Sequence, residues 1–394
     1  MSVSVVIVGS ARTPVGAFQG NLASLSAPKL GAVAISSALS RSQLPAGAIN
    51  EVFFGCVLSA GIGQAPARQA TIAGGLGIAT PATTINKMCG SGMMAVMLAC
   101  DALQARPEKI MLAGGMESMS NAPYLAPKAR AGLRLGHGVL QDHMFLDGLE
   151  DAYDKGRLMG SFAEDAVERY QFSRAELDAF ASESLSRAQS ATRAGRFRQE
   201  IAPVAIEAKV GATLIENDEQ PLRADAAKIP LMRPAFRVDG AVTAANSSSI
   251  SDGAAALVLC AREQARQIGA KPLARIVATA RYAGEPALYT SAPVFAIRDV
   301  LAQTGWGADD VDLYEINEAF AVVVMIAMRE LGLRHDRVNV NGGACAIGHP
   351  IGASGARILV TLINALAQRE LTRGIAAICI GGGEATAVAL ERLG

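Results

Sequence analysis

TTINKMCGSGMMAVMLAC, Thr83 to Cys100, passes from a β-branched run through a glycine-rich turn into an uncharged apolar segment. Thr83, Thr84 and Ile85 are β-branched and suit a strand. Met88-Cys89-Gly90-Ser91-Gly92 reads as a tight turn, and the thirteen uncharged residues from Met88 to Cys100 continue as a buried helix. The pattern is strand, turn, helix, with a thiol at the corner. A thiol at a helix start faces unpaired N–H groups and the positive end of the macrodipole. Such a setting lowers a cysteine pKa from ~8.5 into the range ~3.5 to 7.5, so a populated Cys89 thiolate is expected. The competing reading is a small buried hydrophobe, because free cysteine is among the most buried residue types.

Outward from this corner, strands and helices alternate. On the amino-terminal side, residues 3–8 and Val52 to Leu58 read as strands, and Leu25 to Ser40 and Pro66 to Ala73 as helices. Beyond it, Lys109 to Ala113 reads as a strand ending in Gly114-Gly115-Met116-Glu117-Ser118. Such alternation predicts an α/β protein with a largely parallel sheet covered on both faces. From Met119 to about Ala245 charges and turn residues become frequent and the alternation lapses. Ser173-Arg174-Ala175-Glu176 is a capping box opening an amphipathic helix in this stretch. Long excursions of this kind often carry recognition.

Alternation resumes with the buried run Ala254 to Leu259 and the strand Pro272 to Ala278. Ala296 to Thr304 and Asn317 to Leu331 read as helices and Val338 to Val340 as a strand. The glycine-rich loop Asn341 to Pro350 follows, then an apolar helix over Ile358 to Gln368 and a strand over Ile375 to Ile380 closed by Gly381-Gly382-Gly383-Glu384. The second half echoes the first. Cys89-Gly-Ser-Gly, apolar helix, strand, Gly114-Gly-Met-Glu117 matches Gly352-Ala-Ser-Gly355, apolar helix, strand, Gly382-Gly-Glu384. Two copies of one βα unit back to back predict a five-layer α/β/α/β/α sandwich.

Composition narrows the function. Lys plus Arg equals Asp plus Glu at 36 each, which lacks the basic footprint of a nucleic-acid binder. Apolar residues make up 51%, so much of the chain must be interior or lie between subunits. Six cysteines without CxxC or paired spacing fit a reduced, cytoplasmic setting better than a disulfide framework. No signal peptide, membrane-length uncharged run or carboxyl-terminal peroxisomal address is read.

Cys89, Asn317, His349 and Cys379 each sit on a glycine-rich or helix-starting turn at the end of an expected strand, where ligands bind in parallel α/β sheets. A cysteine and a histidine so placed make a nucleophile and base for acyl chemistry. His349 could equally be a hydrogen-bonded structural histidine. Metal binding by Cys89, Cys379 and His349 lacks the close spacing of a zinc site, so no metal is expected.

NKMCGSGM, GGMESMS, VTAANSSSISDGAAA, EINEAF, NGGACAIGHPIGASGAR and CIGGG resemble the thiolase family, specifically its acetyl-CoA acetyltransferases, in the family's order and from end to end. The resemblance implies a thiolase fold divided into residues 1–118 with 250–271, an inserted loop domain over 119–249, and 272–394. It implies the condensation of two acetyl-CoA to acetoacetyl-CoA plus CoA and the reverse thiolysis, within fatty acid metabolism. Cys89 would carry the acyl group as a thioester. His349 would act as base toward Cys89 and donate to a thioester oxygen, while Asn317 would hold a water donating to the same oxygen. Backbone N–H groups of Cys89 and Gly381 would form a second oxyanion hole, and Cys379 would move the α-proton.

For the coenzyme, the resemblance points to Arg223 near the adenine or phosphates and to Phe236 and Ser248 along the pantetheine arm. Leu149, Met159 and Phe320 would surround the acyl pocket. Two departures bear on pocket shape: Leu158 stands where family members often have a histidine, and Tyr289 where biosynthetic members carry methionine. A 3-ketoacyl-CoA thiolase of broader chain length or 2-methyl-branched substrate is therefore an alternative. Other rivals are a synthase on the same fold, a non-catalytic acyl-CoA binder and a thiol redox sensor. Coenzyme A and acyl-CoA enter as substrates, no resident cofactor is expected, and the relatives are homodimers or homotetramers.

Overall fold

The computed structural model describes residues 3–207 and 211–393; Met1, Ser2, residues 208–210 and Gly394, which fall inside the expected domain bounds, lie outside the described residues. Nine strands form the path of one sheet: β1 (Val5–Arg12), β2 (Glu51–Gly55), β3 (Ala82–Ile85), β4 (Ile110–Ser118), β5 (Ser251–Ala261), β6 (Ala274–Ala283), β7 (Leu313–Ile316), β8 (Arg373–Ile380) and β9 (Glu384–Arg392). Their order is β7-β8-β9-β6-β1-β5-β4-β2-β3.

The expectation of a largely parallel sheet is corrected. β2 runs parallel to β3 and β4, and β7 to β8, but β5 is antiparallel to β1 and β4, and β9 to β6 and β8. For β9 the cause is local. Only Gly381-Gly382-Gly383 joins Ile380 to Glu384, whereas a parallel return needs a crossover of a dozen residues or more. β7 and β9 are both absent from the sequence reading, and β4 continues through Gly114 and Gly115 to Ser118.

The two halves of the sheet repeat one order, β1-β5-β4-β2-β3 and β6-β9-β8-β7, joined where Val6 and Ile7 pair with Arg275 and Ala274. The strand expected over Val338 to Val340 shrinks to a single parallel bridge between Tyr314 and Val338, at the place β3 holds in the first half.

Helices α1 (Ala27–Ser42) and α2 (Pro66–Ala73) cover one outer face, α3 (Ser91–Ala105) and α8 (Ile351–Gln368) fill the middle, and α6 (Ala292–Thr304) and α7 (Ala321–Leu331) cover the other face. This is the five-layer α/β/α/β/α arrangement. Met93, Met97 and Leu103 of α3 and Leu359 and Leu362 of α8 share a core with Ile7, Leu257, Ile378 and Leu390 from both halves of the sheet. α3 with its leading turn and α8 are apolar and long enough to cross a membrane by composition, and 56% and 83% of those windows is buried in this middle layer.

The helices meet reciprocally. A Cβ at Gly92 would lie 2.9 Å from the backbone nitrogen of Ala356, and one at Gly355 2.5 Å from that of Met93. Gly92 and Gly355 are equivalent positions of the sequence echo, so the repeat is also a repeat of contacts. Close approach also explains why α8 begins at Ile351 rather than Ile358: its glycines serve packing, not a loop. Between the halves, α4 (Met159–Tyr170) and α5 (Arg174–Arg193) belong to the intervening stretch. Ser173 and Glu176 cap α5 reciprocally, as the sequence predicts.

Candidate active site

Residues from all three parts of the chain enclose a cavity of about 1120 Å³. Cys89, His349, Cys379 and Gly381 line it, together with Leu149, Met159, Arg223, Phe236, Ser248, Tyr289 and Phe320. Asn317 does not. It follows β7 on a loop, since the helix expected from Asn317 begins only at Ala321, and it is fully buried behind the cavity wall. Its N–H donates to the Ala377 carbonyl at 2.9 Å, and its side-chain Oδ1 and Nδ2 have no partner among the described residues.

The corner that presents Cys89 is held in a costly conformation. Met88 has φ 47°, in the left-handed region that a methionine avoids. Ser91 closes the turn: its Oγ accepts the Lys87 N–H at 2.9 Å and donates to the Met88 carbonyl at 2.6 Å. The Met88 N–H donates to Asn86 Oδ1 at 3.0 Å. Strain maintained by so many contacts is typical of functional corners. Lys87 and Glu384 form an ion pair beside the corner, joining the two halves.

Cys89 is half-buried, opening on the cavity. Burial is the dominant influence and pushes its thiol up to about 11, while the N–H groups of Gly381 and of Cys89 itself pull the other way. The expectation of a resting thiolate is thereby corrected: desolvation outweighs the pull of these two N–H groups. Gly381 can aim its N–H at this sulfur because Gly382 and Gly383, at φ 94° and 82°, turn the chain in a region closed to most side chains. Cys379 is buried, and its thiol is raised by burial and then by the neighbouring Cys89, since two thiolates side by side would repel. Tyr289, on the same cavity wall, is raised by burial and then by Cys379 and Cys89. Its hydroxyl donates to the Met159 carbonyl at 2.9 Å.

His349 is driven the opposite way. Burial, then the Arg357 charge, lowers it to about 3, so its imidazole is neutral. Nδ1 lies 2.5 Å from Ser354 Oγ, and Nε2 has no partner among the described residues. Ser354 Oγ is also 3.0 Å from the Pro350 carbonyl. A hydroxyl has one hydrogen: given to Pro350, it leaves Nδ1 to carry the ring proton and Nε2 to act as acceptor. Glu117 ties this helix to the other half, accepting N–H groups from Val57, Leu58 and Gly352 at 3.1, 3.1 and 2.9 Å. Ser354 and Glu117 were missed as site residues; the sequence signal for both was their place in the repeated unit. Among the described residues no cluster of three or more His, Cys, Asp or Glu side chains could hold a metal ion.

The description "Thiolase, N-terminal domain" matches residues 5–263, and "Thiolase, C-terminal domain" matches residues 270–392. The chain belongs to the thiolase family. Among its relatives, the acetyl-CoA acetyltransferase of Pseudomonas aeruginosa is 47% identical over 98% of this chain and 99% of its own length. Acetyl-CoA acetyltransferase 2 of Arabidopsis thaliana is 48% identical over 99% and 97% of the two chains. A solved thiolase structure, the acetyl-CoA acetyltransferase of Syntrophomonas wolfei, superposes with a TM-score of 0.96 at 38% identity and covers 100% of both chains.

Proposed function

We propose that this protein is an acetyl-CoA C-acetyltransferase, an acyltransferase that condenses two acetyl-CoA to acetoacetyl-CoA and CoA and runs the reverse thiolysis through acetyl-Cys89. The observation that carries the reading is the convergence of Cys89, Cys379, His349 and the Gly381 loop on one cavity. Shared identity with proteins named acetyl-CoA acetyltransferase supports the substrate.

In the first half-reaction, His349 Nε2 takes the Cys89 proton as the sulfur attacks the acetyl carbonyl. Departing CoA thiolate takes a proton from Cys379, leaving imidazolium and a Cys379 thiolate. A thiol that ionises reluctantly is a strong base once it has, so Cys379 removes the α-proton of the second acetyl-CoA. The enolate oxygen is held by His349 and by a water on Asn317, whose buried amide suits that role. Carbon attacks acetyl-Cys89, and the N–H groups of Cys89 and Gly381 hold the oxyanion. Cys89 leaves and recovers its proton from His349, which closes the balance. Loss of one oxyanion donor costs ~10²–10³ in rate.

Phe236 and Ser248 flank the pantetheine arm and Arg223 the nucleotide. Leu149, Met159, Phe320 and Tyr289 bound the acyl end. Residues 119–249 serve as the coenzyme-holding insertion between the two halves, 1–118 with 250–271 and 272–394. No cofactor beyond the acyl-CoA substrates takes part, and the protein works in the cytoplasm as a homodimer or homotetramer. The test is incubation with acetyl-CoA followed by peptide mass measurement. The Cys89 peptide gains an acetyl group, and Cys89→Ser gains none and loses at least roughly 10⁴-fold of turnover. An unmodified Cys89 in active protein would sink the reading.

A further inference from the structure

Away from the cavity, a cluster of buried charge centres on Arg12 at the end of β1. The side chain is fully buried. Nε donates to Glu200 Oε1 at 2.6 Å, while Nη1 and Nη2 donate to Asp218 Oδ1 and Oδ2 at 2.7 and 2.9 Å. The guanidinium also lies 5.0 Å from the centre of the Phe197 ring. Burial opposes the charge, but Asp218 and Glu200 outweigh it and the group stays cationic. Thr361 of α8 donates to the same Glu200 oxygen at 3.1 Å. The cluster thus fastens the intervening stretch, through Glu200 and Asp218, to a core strand and to the helix that follows His349.

A two-pronged arginine–carboxylate pair fixes orientation as well as distance. What it orients lies one residue further on. Asp218 Oδ1 also accepts the Val15 N–H at 2.8 Å, and Glu219 Oε2 accepts those of Ala17 and Asn21 at 3.0 and 2.9 Å. A side chain at Gly20 would collide with the Glu219 carboxylate. Glu219 Oε1 in turn pairs with Arg223 at 2.5 Å. The turn over Glu219–Arg223 is therefore pinned from below, and Gln220, Arg223 and Lys228 form part of the cavity wall at its exposed end. Arg12 itself does not line the cavity.

We infer that Arg12 is a positioning residue for coenzyme binding: through Asp218 and Glu219 it sets the turn against which the nucleotide end of a coenzyme A thioester rests, without taking part in the thiol chemistry. The inference rests on the coenzyme reading above.

Thiolysis of acetoacetyl-CoA with CoA as acceptor is compared with thiolysis of acetoacetyl-pantetheine with pantetheine as acceptor, a pair lacking the nucleotide. In Arg12→Lys, which keeps the charge and loses the fork, KM for the coenzyme pair rises about tenfold or more while kcat stays within about threefold. KM for the pantetheine pair is unchanged. Asp218→Asn, which keeps the shape, carries the same expectation should Arg12→Lys fail to fold. Equal losses on both substrate pairs, or a coenzyme KM moved by less than about twofold, overturn the inference. A wild-type protein that turns over neither pair overturns the coenzyme reading, and the inference with it; that outcome is visible before any variant is made.

Discussion

The starts of α3 and α8 are two versions of one corner. Each carries a serine and a glycine at matching places, Ser91-Gly92 and Ser354-Gly355, and the two glycines admit each other's helix. Their uses diverge. In the first half Ser91 closes the strained turn that presents Cys89. In the second, the position equivalent to Cys89 is Gly352, whose N–H is bound by Glu117, and Ser354 turns toward His349. Burial then acts oppositely on the two groups, raising the thiol to about 11 and lowering the imidazole to about 3. Both effects favour the neutral form. The pair at rest is therefore thiol and imidazole, not thiolate and imidazolium.

Removing the proposed base tests this contrast most severely. His349→Asn should slow acetylation of Cys89 by ~10²–10⁴, measured in a single turnover with acetyl-CoA. A loss under about tenfold would mean that the thiol gives its proton elsewhere. The charge state itself is read by iodoacetamide. Because the thiol is raised, the thiolate fraction grows as pH increases toward about 11, so alkylation of Cys89 should quicken about tenfold per unit between about pH 7 and 10. A plateau near neutrality would restore the helix terminus as the controlling influence. Smallest and most local is the shared packing of the two corners. Gly355→Ala and Gly92→Ala should each lower stability by about 1–3 kcal/mol in denaturant titrations, the former more, since its Cβ would lie 2.5 Å from backbone against 2.9 Å. Equal and negligible losses would show that the reciprocal contact is loose.

Local pattern determined a great deal about this protein. Runs of apolar and β-branched residues marked most strands and helices of the two halves, though not β7 or β9, the repeated unit exposed their duplication, and the thiolase resemblance pointed to Cys89, His349, Cys379 and Gly381, which line the cavity. Direction and charge were different matters. A long intervening stretch leaves the direction of β5 open, and only its pairing with β1 and β4 shows it to be antiparallel. Asn317 carries a motif, yet its place behind the wall depends on β7 and β8. The upward shift of Cys89 and the anchorage by Arg12 arise where segments remote in sequence exclude water together, as when Glu117 binds the N–H of Gly352 or Arg12 binds Asp218. Periodicity and short-range propensity report how a segment meets its immediate neighbours. Desolvation and buried hydrogen bonding depend on what the rest of the chain brings alongside, so only the assembled layers decided them.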